Sequence, residues 1–175
     1  MALRLRICAP CVIAVFALAS VLIGCGSDSE VQDTDRDVAI YRSIIADVAG
    51  HSDLEPNDSE DLPLLFIEAF GADGIGLEVQ VEVVASFIEQ YEIRFIDDRE
   101  EAIEIDLPGL PVRPNSLFLG LGPIVLDRTA EVRSERYLST DAISAYRYSL
   151  AGRGASWSIV GAPEEIEPEG FVSAS

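Results

Sequence analysis

An apolar run precedes Cys25, helical spacing of apolar residues follows it, and two-residue alternation takes over in the second half of the chain. Between Val38 and Ala49, Tyr41, Ile44, Ile45 and Val48 fall at i, i+3, i+4 and i+7, which predicts an amphipathic helix. Asp37 is placed to cap its first turn and Gly50 to end it. Leu62 to Phe70 is a short, nearly continuous apolar run with Pro63 near its start, the pattern of a buried strand closed by Gly71, Gly74 and Gly76. Leu77 to Gln90 carries two signals. Its first half alternates at Leu77, Val79, Val81 and Val83 like a strand, whereas Val81, Val84, Phe87, Ile88 and Tyr91 keep helical spacing, and helix is the preferred reading.

Tyr91 to Asp97 then alternates as a strand, and Ala102 to Asn115, with three prolines, reads as an irregular loop. Ser116 to Val125 reads as a strand with a glycine-rich end. Glu131–Leu138, Ile143–Leu150 and Ala155–Val160 predict a three-strand meander, with Ala151 to Gly154 as its last turn. The expected fold class is α+β: one or two helices packed on a curved, largely antiparallel sheet that ends in the meander.

The first apolar run has its own logic. Arg4 and Arg6 precede an uninterrupted apolar and small-residue stretch from Val12 to Ile23, which ends in Leu22-Ile23-Gly24-Cys25. This pattern resembles the signal of bacterial lipoproteins. The resemblance implies a diacylglycerol on the Cys25 thiol, cleavage between Gly24 and Cys25, and fatty acylation, with palmitate for example, of the new amine. It implies an extracytoplasmic protein held to a bacterial membrane. Each buried methylene contributes about 0.8 kcal/mol, so two or three acyl chains make a stable anchor. The competing reading is a transmembrane helix, but Ile7 to Ile23 falls short of the roughly 20 residues that a span needs.

The expected organisation is therefore a signal over 1–24, a lipidated cysteine and acidic tether over 25–37, a single domain over 38–162, and an acidic disordered tail over 163–175. Gly26 to Asp37 is too polar to bury anything, and Pro163 to Ser175 is rich in glutamate. Cys8 and Cys11 leave with the signal, so their Cys-x-x-Cys spacing implies neither metal nor redox chemistry in the mature chain.

Charge narrows the partners. The whole chain has 12 basic and 31 acidic residues; losing Arg4 and Arg6 leaves 10 against 31, a net charge of −21, and every cation is arginine. Nucleic acid is excluded as a partner by its dense phosphate array, and nothing polybasic attracts the chain to anionic headgroups. The membrane is reached through the lipid alone. The absence of lysine excludes Schiff-base chemistry, pyridoxal phosphate, a Ser-Lys dyad and a Walker-type phosphate loop, and lipidation of Cys25 leaves no thiol nucleophile. Gly120-Leu121-Gly122-Pro123 reads as a bulge or turn, since no lysine and no helix follow it. The acidic loop His51 to Asp61 lacks the glycine of a calcium-binding EF-hand, with Asp58 standing at that position, so no metal and no cofactor is expected.

Carboxylates and aromatics remain. Glu68 inside the apolar run, Asp97 at the end of the next strand, and Tyr146, Tyr148 and Trp157 in the meander are the candidate ligand-lining residues; none is assigned as catalytic. Trp157 is expected to be mostly buried, so that its loss as alanine costs roughly 3–5 kcal/mol. The order of elements is similar to that of NTF2-like and cystatin-like domains, whose bent sheet wraps a helix around a cavity. The mature chain also resembles small envelope lipoproteins that end in an aromatic-rich hairpin. Two functions fit these features: a non-enzymatic module that binds a protein or small-molecule partner, or a small hydrolase or isomerase that uses Glu68, Asp97 or a tyrosine.

Overall fold

The structure is a computed structural model and describes residues 27–52, 54, 62–71 and 74–171. The apolar segment before Cys25, Gly24, Cys25 itself and most of the acidic loop 53–61 lie outside the described residues. The fold is α+β, with two helices packed against a curved, mostly antiparallel sheet.

Helix α1 spans Ser27–Gly50 and α2 spans Leu77–Phe87. The strands are β1 (Leu64–Ala69), β2 (Glu92–Phe95), β3 (Ser116–Leu121), β4 (Val125–Leu126), β5 (Ala130–Ser139), β6 (Ala142–Arg153), β7 (Ser156–Ile159) and β8 (Glu164–Ile166). The sheet runs β2-β1-β3-β5-β6-β7, with β4 paired to β5 and β8 to β6. The β5-β6-β7 meander is the one that the alternation predicts. At the other end of the sheet β1 is parallel to both β2 and β3. Parallel neighbours need a long crossover, which α2 supplies between β1 and β2. The apolar run of β1 suits that central place, because Leu65, Phe66 and Ile67 are buried although they point to alternate faces.

Both faces of the sheet are covered. On one face Ile40, Ile44, Ile45 and Val48 of α1 and Val79, Val83 and Phe87 of α2 meet Leu65, Ile67, Leu117, Leu119, Leu121, Val132, Tyr148 and Leu150. The buried stripe of α2 runs at i, i+4 and i+8, so Val79 and Val83 belong to a helix even though they also fit alternation. Leu77, Val81 and Ile88 are left exposed. On the other face Phe66, Ile96, Ala102, Phe118, Tyr137 and Phe171 form a second, smaller core.

Two expected boundaries need correction. The stretch expected as a tether, 25–37, is helical from Ser27, and Asp37 lies inside α1 and does not cap it. Arg36 bridges Asp33 at i,i+3 (2.7 Å) and Asp37 (2.8 Å). Local charge pairing thus extends a helix beyond its apolar stripe. The tail expected to be disordered, 163–175, forms β8, and residues 167–171 then fold back across the sheet; residues 172–175 lie outside the described residues. Buried partners hold it, as described below, and composition does not reveal them.

Trp157 is mostly but not fully enclosed, in keeping with the expectation that it packs against the sheet core. It lies on the last strand of the sheet, packs against the helix-side core with one edge open, and donates from Nε1 to the Gly154 carbonyl (2.9 Å). Trp157→Ala is accordingly expected to cost about 1–2 kcal/mol, below the range for a fully enclosed ring. Urea unfolding of the variant checks this, and a loss above about 3 kcal/mol would mean that the ring is fully enclosed.

Candidate binding site

Strand alternation places Ser134 and Arg136 of β5 and Tyr146 and Tyr148 of β6 on the helix-facing side of the sheet. Ser134 stands directly opposite Tyr146 in the antiparallel register. The C-terminal end of α1 lies over these four residues and brings Asp47, Val48 and His51. With Pro163 they enclose a pocket of about 330 Å³.

Burial and hydrogen bonding define its walls. Ser134 is buried at 1% exposure. Tyr148 donates its hydroxyl to Asp47 Oδ2 (2.9 Å). Burial, the hydrogen bond to Asp47 and the nearby Asp47 charge all raise the Tyr148 pKa, so it remains a neutral phenol that orients the carboxylate. His51 Nδ1 lies 2.7 Å from the Asp47 carbonyl and 3.7 Å from its carboxylate, and the imidazole is largely exposed at the rim.

Arg136 differs from the other arginines. Its Nε is buried without a hydrogen-bond partner, and the side chain makes no ion pair among the described residues. Arg36, Arg94, Arg99, Arg133 and Arg147 each pair with an acid, whereas Arg42, Arg113, Arg128 and Arg153 are exposed. An enclosed polar group without a partner loses its hydration and gains nothing in exchange, so such groups in native folds require an explanation.

A larger groove of about 910 Å³ lies between Asp33, Thr34 and Asp35 of α1 and Leu77, Glu78, Val81 and Glu82 of α2. Its charged lining is all carboxylate. The smaller pocket combines a cation, hydroxyls, an imidazole and a carboxylate, and it is the better candidate for specific recognition.

The sequence candidates separate in the structure. Tyr146 and Tyr148 line the pocket. Trp157 lies on β7, outside the lining. Glu68 is on the opposite face, held in a two-point ion pair by Arg99, whose Nε is 2.7 Å and Nη2 2.9 Å from its two oxygens. Asp97 is exposed in the turn after β2. Asp47, His51, Ser134 and Arg136 were not legible as site residues, since Asp47 falls between two apolar positions of a helix and Arg136 reads as an ordinary alternating residue of a strand. The one available signal was that Ser134 and Arg136 share the period-2 face of the buried Val132.

The opposite face carries a second polar cluster that is structural. Glu135 is fully buried. Its Oε1 accepts from the backbone N–H groups of Glu169 (2.9 Å) and Gly170 (2.8 Å) and from Arg133 Nε (2.8 Å), and its Oε2 accepts from Phe171 N–H (3.0 Å). Arg133 also donates to Glu169 Oε2 (2.9 Å) and to the Glu167 carbonyl. Arg99, besides Glu68, donates to the carbonyls of Gly170 (2.9 Å) and Phe171 (3.2 Å) and stands 5.0 Å from the Phe171 ring centre. Gly120, between Glu68 and Glu135 in the sheet, leaves room for the Phe70 ring; a β-carbon there would sit 2.0 Å from it. The glycine-rich end of β3 is thus a packing device.

Among the described residues no group of three or more His, Cys, Asp or Glu side chains is arranged to hold a metal ion, and no helix is long and apolar enough to cross a membrane. Comparison with protein-family models, with curated proteins and with solved structures gave no match to this chain.

Proposed function

We propose that this chain is a bacterial lipoprotein, held outside the cytoplasm by lipid on Cys25, whose folded domain is a non-enzymatic binding module. The observation that supports binding is the pocket at the end of α1, where a cation, hydroxyls and apolar walls converge. Acid-base chemistry by Glu68 and Asp97 is disfavoured because Glu68 is engaged by Arg99, itself held by the carbonyls of Gly170 and Phe171, while Asp97 faces solvent. Partners reach the domain from the envelope side, and a surface of this charge does not take nucleic acid.

Anchoring is tested by Cys25→Ser. Metabolic labelling with a clickable fatty acid is expected to mark the wild-type protein and not the variant, which leaves the membrane fraction or stays unprocessed. A variant that still labels and still sediments with membranes overturns the lipid-anchor reading and points to a spanning helix.

A further inference from the structure

We propose that the pocket between the end of α1 and the β5-β6 ladder binds a small organic monocarboxylate, with Arg136 as the cation that holds it. This rests on reading the domain as a binding module. Acidic residues outnumber basic ones 31 to 12 in the whole chain, so an arginine readily finds a carboxylate, and five arginines do so. Arg136 finds none, although its Nε is enclosed without a hydrogen-bond partner. A guanidinium presents planar, parallel N–H donors that match the two oxygens of a carboxylate, and Arg136 lines the pocket with no acid of the described residues to meet it there.

The remaining lining restricts the ligand further. The Ser134 and Tyr146 hydroxyls stand on the same face as Arg136, while the Tyr148 hydroxyl is committed to Asp47. Val48, Pro163 and the two tyrosine rings offer apolar surface to a hydrocarbon or aromatic body. Asp47 on the opposite wall and the strongly negative protein as a whole disfavour a second negative charge, which excludes a phosphate dianion. A volume of about 330 Å³ lies at the lower end of small-molecule sites and suits a single ring or a short chain.

The full-length protein in detergent micelles, titrated at fixed ionic strength with benzoate, benzamide and inorganic phosphate and followed by amide NMR shifts, tests the assignment. Benzoate is expected to shift residues 134–136 and 146–148 saturably, benzamide to bind at least about tenfold more weakly, and phosphate not to compete. Arg136→Gln should weaken benzoate at least about tenfold, Arg136→Lys by a smaller factor, and Arg153→Gln not at all. Equal binding of benzamide, or unchanged benzoate binding in a folded Arg136→Gln, overturns the carboxylate assignment and leaves the pocket as a binding site. Saturable binding of phosphate alone, or no saturable response to benzoate at millimolar concentration, also overturns it. If Arg136→Gln does not fold, the benzoate–benzamide comparison on the wild-type protein and the Arg136→Lys titration decide the matter.

Discussion

Glu135→Ala is expected to destabilise the domain by about 3–5 kcal/mol, because it leaves three backbone N–H groups and one face of Arg133 without their buried acceptor. Burial by itself pushes the Glu135 carboxyl pKa up. The N–H groups of Glu169, Gly170 and Phe171, with Arg133, more than reverse this and hold it below the usual value. The sign of the pH dependence follows. A carboxyl with a depressed folded pKa contributes stability that is fully present above its unfolded value of about 4.3 and is lost as pH falls through the folded one. Wild-type stability should therefore fall below about pH 4, and Glu135→Gln should flatten that acid limb. Urea midpoints measured from pH 2 to 7 check both statements, and an unchanged midpoint for Glu135→Ala at pH 7 would show that the carboxylate does not hold residues 169–171.

Phe171→Ala is expected to cost about 3–4 kcal/mol. Its ring is 5% exposed and meets Phe118 at 4.7 Å, Phe70 at 5.2 Å and Tyr137 at 5.4 Å between ring centres, with the Arg99 guanidinium against its face. Truncation opens the smaller core, which has no helix to close it. Since Glu135 and Phe171 hold one segment, their alanine variants should combine to less than the sum of the separate losses. Thermal melts of the two single variants and the double variant measure this. Strict additivity would mean that the two residues anchor separate units.

Legibility in the sequence followed the range of the interactions. The apolar stripe from Tyr41 to Val48, the run of β1 and the alternation of β5 and β6 are local patterns, and each became the element that it predicts. Val81 misled locally, since it fits both periods and the structure leaves it exposed. The fold-back of residues 167–171 was illegible because its partners are remote: Glu135 lies 34 to 36 residues from the N–H groups that it accepts, and Arg99 lies 72 from the Phe171 carbonyl. Phe171, the single aromatic after Pro163, was the only hint that the acidic tail had something to bury. The pocket was half legible. Two of its tyrosines stood out by type, whereas Arg136 is notable only for the partner that it lacks, and a pairing pattern is visible only in three dimensions.

Helix α1 also sets the polarity of the molecule. Its 24 residues make a rod of roughly 36 Å, beginning two positions after Cys25 and ending at the pocket wall. Whatever is joined to the chain ahead of Ser27 therefore meets one tip of this rod, and the pocket wall lies at the other.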